Sequence, residues 1–143
     1  MTRIDFYSNS ESPLHTVCQL AAKAFSQGIP VAVFSPDAEL ARSADRLLWT
    51  FQATSFVPHC LAQEKFAAET PVVIISRVEE ARHDGLLMNL GEECPPAFSR
   101  FNRLIEVVGR QEEERRLARL RWRFYKERGY EVNHVDLGNS GVG

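Results

Sequence analysis

Two short runs of uninterrupted apolar residues, Val31-Ala32-Val33-Phe34 and Val72-Val73-Ile74-Ile75, narrow the fold of this chain more than any other feature. A strand with one wet face alternates apolar and polar side chains. A run that is apolar at every position suits a strand covered on both faces, as in a parallel sheet between layers of helix. The surrounding pattern agrees. Arg3 to Tyr7 reads as a first strand, after which Ser12 offers an N-cap and Pro13 an N1 residue. Leu14, Val17, Cys18, Ala21, Ala24 and Phe25 then recur at helical spacing until Gly28 and Pro30. Ser35-Pro36-Asp37 repeats the start signal for a second helix ending near Leu48 or Trp49.

Further strands are expected at Pro71 to Ser76, Gly85 to Leu90, Leu104 to Val108 and Tyr130 to Asp136. Thr50 to Thr70 reads as a loop with a short helix around Ala62 to Ala67, and Ala97 to Phe101 as a brief helical piece. A long helix spans Gln111 to Arg128 and stops at Gly129, while Asn139 to Gly143 has the composition of a loose tail. Strands alternating with helices predict βαβ units. The expected fold is a single three-layer α/β domain, 1–143, with a mostly parallel sheet.

At 143 residues, 44% hydrophobic and 25% charged, the chain suits one globular domain with its own core. No apolar run approaches the roughly 20 residues of a membrane-spanning helix. The N-terminus lacks the apolar stretch of a secretory signal, so a cytoplasmic location is expected. Cys18, Cys60 and Cys94 are widely spaced, without a Cys-x-x-Cys pair or a histidine at metal-ligand spacing, and predict reduced structural thiols and no metal. A formal charge of −2 does not favour nucleic acid as a partner of the whole chain.

An α/β domain of this kind raises the question of a nucleotide, whose phosphates would sit between the first strand and the first helix. That turn reads Ser8-Asn9-Ser10-Glu11-Ser12-Pro13. It has no glycine to admit a pyrophosphate, and Glu11 would repel one. Neither glycine-rich phosphate motif occurs anywhere in the chain, so the fold is nucleotide-binding-like without a phosphate loop and no cofactor is expected. There is no G-x-S-x-G elbow and no H-E-x-x-H. His59 beside Cys60 reads as a structural histidine next to a packed thiol, and His83-Asp84 and Glu92-Glu93 as solvated loop charges. No catalytic residue emerges. An enzyme or nucleotide-binding protein with an unrecognised site stays as the alternative.

The helix at Gln111 to Arg128 is more informative. Its acids, Glu112, Glu113 and Glu114, cluster in the first turn, and its bases follow, which suits the helix dipole. At about 100° per residue, Leu117, Leu120 and Phe124 fall on one stripe, expected to pack on the sheet. Arg115, Arg119, Trp122 and Lys126 fall nearly opposite, flanked by Arg116 and Arg123. A tryptophan ringed by arginines has the composition of a binding hot spot. The fork of arginine suits a carboxylate and the indole suits an apolar side chain. An acidic peptide ending in a hydrophobic residue would fit, and single-stranded nucleic acid would fit by stacking and phosphate contacts.

Four segments carry a family resemblance: Arg46-Leu47-Leu48-Trp49, Ser55-Phe56-Val57-Pro58-His59, Glu106-Val107-Val108, and the stretch Leu117-Ala118-Arg119-x-Arg121-Trp122-Arg123-x-Tyr125-Lys126-x-x-Gly129-Tyr130. In order and spacing the chain resembles the chi subunit of bacterial DNA polymerase III across nearly its whole length. Tyr is commoner in the family at the position of Trp122, and Lys at that of Arg123. The resemblance implies a non-catalytic accessory protein of the clamp-loader assembly that pairs with the psi subunit and binds the acidic C-terminal tail of single-stranded-DNA-binding protein. It implies a tail site at Arg115, Arg119, Trp122, Arg123 and Lys126 and a psi interface at Trp49, Phe56 and Val57. DNA would be reached mainly through the binding protein, by a chain that is monomeric alone and heterodimeric with psi.

Overall fold

The computed structural model describes residues 1–51, 57–64, 67 and 70–140. Among the described residues seven strands form one sheet: β1 Arg3–Ser10, β2 Val31–Phe34, β3 His59–Leu61, β4 Val72–Ile75, β5 Leu86–Asn89, β6 Arg103–Gly109 and β7 Glu131–Asp136. Their spatial order is β3-β4-β2-β5-β6-β1-β7, and every neighbouring pair runs parallel. The expected α/β fold is therefore present, with a sheet that is wholly parallel rather than mostly so.

Period-two burial builds the three layers. Val31 and Val33 of β2 point into a core shared with Val17, Cys18 and Ala21 of helix α1 (Pro13–Ser26) and with Ala44 and Leu48 of helix α2 (Ala38–Thr50). Ala32 and Phe34 point the other way, into a core closed by Ala118 and Tyr125 of helix α3 (Glu112–Glu127) and by Phe98 and Phe101. The apolar runs in the sequence reflect this double burial. Burial also pushes the Cys18 thiol up to about 12, as expected of an inert packed cysteine.

The helix signals hold at most termini. Ser12 caps α1, its hydroxyl accepting from the His15 N–H. Gly28 and Gly129 follow α1 and α3 with φ of +75° and +84°, a left-handed step that glycine makes without strain. At α2 the start shifts by two residues: Asp37, not Ser35, is the N-cap, accepting from Glu39 N–H at 2.9 Å and Leu40 N–H at 3.4 Å. Pro36 thus precedes the cap instead of opening the helix.

Three expectations are revised. The loop at Thr50 to Thr70 contains a strand, β3, disguised in the sequence by its three-residue length and by Pro58 before it. Parts of that segment, including Phe56 and some of the helix expected from Ala62, lie outside the described residues. At the other end a four-residue helix, α4 (Leu137–Ser140), occupies the start of the expected tail, with the Gly138 N–H bonded to the Asp136 carboxylate. His83, expected to be a solvated loop charge, is half-buried with its Nδ1 accepting from the Gly85 N–H at 3.0 Å, whereas its neighbour Asp84 is exposed and pairs with Arg100 at 2.8 Å.

Helix α3 is rolled by about one residue, near 100°, from the face expected of it. Its buried side chains are Ala118, Arg121 and Tyr125, while Leu120 is 51% exposed and Leu117 and Phe124 are only half-buried. The cause lies in the sheet. Glu106 on β6 is fully buried, and a lone ionised carboxylate there would cost several kcal/mol. Arg121 turns inward to meet it at 3.1 Å. Tyr125 Oη donates to Glu106 at 2.7 Å and Asn89 Nδ2 donates at 3.1 Å to each carboxylate oxygen. A polar partner, rather than apolar periodicity, sets the roll of the helix.

Candidate functional site

The rolled helix brings Trp122 to the edge of the buried face. Its ring packs edge-on against buried Phe6 of β1, with centroids 5.1 Å apart at 64°. It also stands 6.3 Å from His134 of β7 at 84°. The indole is therefore half-buried, not fully outward as periodicity alone suggested. What it loses in exposure it gains as the wall of a cavity.

That cavity is an open groove of about 560 Å³, at the carboxyl ends of β6, β1 and β7. Crevices at the carboxyl ends of strands are where open α/β sheets place their ligands. Phe6, Val108 and Ala118 supply apolar lining, and Trp122 and His134 flat walls. Arg115 and Arg119 stand one helical turn apart above it and line it too, with Ser8 and Asn9 opposite. Arg115 Nη2 donates to the Asn9 side-chain oxygen at 3.1 Å. Arg119 lies 3.4 Å from Glu112, with its side chain 63% exposed, so its guanidinium can turn to a ligand at little cost.

The other residues expected of the site fall elsewhere. Arg123 and Lys126 are exposed on α3 but do not line the groove. Arg116 pairs with Glu113 on the outer surface. Arg121, inside the basic stretch by sequence, is a buried structural cation whose Nη1 also donates to the Glu92 carbonyl at 2.8 Å. Phe6, Ser8, Asn9, Val108 and His134 escaped the sequence reading, because nothing in a strand's own sequence says which strands are its neighbours.

A second surface lies on the opposite face of the sheet. Trp49, near the end of α2, is 56% exposed, and its ring meets His59 edge-on at 4.7 Å. Arg46 and Leu47 line a shallow hollow beside it. Val57 is 1% exposed and belongs to the core beneath, so it supports this surface from below. His59 is structural, as expected: Nδ1 lies 2.6 Å from the Val57 carbonyl and Nε2 3.0 Å from that of Asp45. Cys60 beside it is buried. Among the described residues no helix is long and apolar enough to cross a membrane.

Fold and groove together define a class: a three-layer α/β domain carrying an aromatic groove, rimmed by arginines, at the carboxyl ends of its strands. Comparison with known proteins makes the assignment specific. The family model described as DNA polymerase III chi subunit, HolC, matches residues 1–133. A protein named DNA polymerase III subunit chi from Pseudomonas aeruginosa is 37% identical over 134 residues, covering 91% of this chain and 93% of its own. Proteins of the same name from Escherichia coli and Haemophilus influenzae are 30% and 29% identical, covering 82% and 93% of this chain and 80% and 96% of theirs. The chain belongs to the chi-subunit family of DNA polymerase III, a family of accessory subunits in DNA replication.

Proposed function

We propose that this chain is a non-catalytic cytoplasmic adaptor that joins the clamp loader, through the psi subunit, to the acidic C-terminal tail of single-stranded-DNA-binding protein. The observation that carries the tail assignment is the groove at Trp122. Its apolar lining and flat walls suit one buried hydrophobic side chain, and Arg115 and Arg119 stand where they would meet a terminal carboxylate and the acids before it. Arg123 and Lys126, outside the groove, would act on the tail's upstream acids at longer range. Psi is assigned to the surface around Trp49, with Phe56 of the following segment as a further contact and Val57 supporting from within. The chain would be a monomer by itself and a heterodimer with psi, reaching DNA mainly through the binding protein.

The test is titration calorimetry with an acidic peptide ending in Asp-Ile-Pro-Phe and a free carboxylate. Binding in the micromolar range is expected, weakened by added salt. Arg119→Ala should remove most of it. Unchanged binding by that variant would reject the site.

A further inference from the structure

Among the described residues, His134 is the only histidine that lines the groove. It sits on the last strand of the sheet with its side chain exposed, one ring away from Trp122. Its Nε2 lies 2.5 Å from Ser8 Oγ. A hydroxyl donates to a bare ring nitrogen and accepts from a protonated one, so this contact survives a change of charge. Protonation then adds a cationic donor to the groove without dismantling it.

The ionisable groups around the imidazole set the direction of the coupling. From α3, Arg115 and Arg119 line the same groove, the latter 3.4 Å from Glu112. From the β6–α3 turn, Arg110 Nε donates to the Asn9 carbonyl at 3.2 Å. On its own strand Asp136 accepts from Asn9 Nδ2 at 2.7 Å. The neighbouring part of β1, Ser8 and Asn9, brings no charge, and neither does α4. An anionic ligand held by the two arginines would favour an imidazolium beside it, and by linkage whatever favours the proton is favoured by it.

We propose that His134 is a specificity-determining residue of the groove that couples the binding of an acidic peptide carboxylate to the uptake of a proton. The inference rests on the acidic-peptide reading above, and one experiment separates the two. The full chain is titrated with an N-acetylated acidic peptide ending in Asp-Ile-Pro-Phe, at about pH 6 and about pH 8 and constant ionic strength, in buffers of different ionisation heat. Binding about fivefold or more tighter at the lower pH is expected, with an enthalpy that depends on the buffer. His134→Gln keeps a partner for Ser8 but cannot titrate, and should bind equally at both pH values. His134→Arg carries a permanent charge and should bind tightly at both. Equal wild-type affinity at the two pH values, or the same pH dependence in His134→Gln, overturns the role of His134 alone. A peptide that binds the wild type at neither pH, or binds Arg119→Ala unchanged, overturns the site and His134 with it.

Discussion

Arg119 and Arg121 stand two positions apart on α3 and do opposite things. Arg119 is mostly solvated at the rim of the groove, whereas Arg121 is 7% exposed and neutralises Glu106 inside the protein. Their replacement should therefore separate binding from stability. Arg119→Ala should cost affinity with little change in urea midpoint. Arg121→Met should cost about 3–5 kcal/mol of stability, because it strands a buried carboxylate. The pH dependence of that loss has a definite sign. Burial pushes the Glu106 carboxyl above its ordinary value, while Arg121, Tyr125 and Asn89 pull it back. Removing Arg121 leaves burial less opposed, so the folded carboxyl rises further above the unfolded one. A group raised in this way lends stability below its unfolded pKa and loses it as pH rises through the folded pKa. Arg121→Met should accordingly recover part of its deficit on acidification from neutral pH, relative to wild type, in urea melts across that range.

Among the elements, α3 and α2 show how far local signals reach. The length of α3, its acidic first turn and its stop at Gly129 were all legible, because capping and charge act within a turn or two. Its roll was not. The stripe Leu117, Leu120, Phe124 looked like the buried one, but the partner of Arg121 lies fifteen residues back on another element. Leu120→Gln should consequently be nearly neutral in thermal melts, within about 0.5 kcal/mol. Tyr125→Phe should be clearly destabilising, since it takes a hydrogen bond from a buried carboxylate, about 1.5–3 kcal/mol. At α2, Asp37→Ala should cost about 1 kcal/mol through the lost cap, and Ser35→Ala should remove only the bond to the Asp37 carbonyl.

Across the whole molecule, the sheet holds its two candidate surfaces apart. Trp49 belongs to the face covered by α1 and α2, and Trp122 to the face covered by α3. Sites that share no partner side chains behave additively. Trp49→Ala should thus leave the affinity for the acidic peptide unchanged while weakening the pairing proposed for psi, measured by co-purification with psi. By itself the sequence determined the α/β class, the ends of most elements and the basic, tryptophan-bearing character of α3, because periodicity, caps and side-chain chemistry are written within a few positions of one another. Only the tertiary structure decided that Phe6, Val108 and His134 join Arg115, Arg119 and Trp122 in one groove. That outcome depends on β6, β1 and β7 lying side by side, and on a buried glutamate turning the helix above them. Both are contacts between residues far apart in the chain, whose energies no local pattern records.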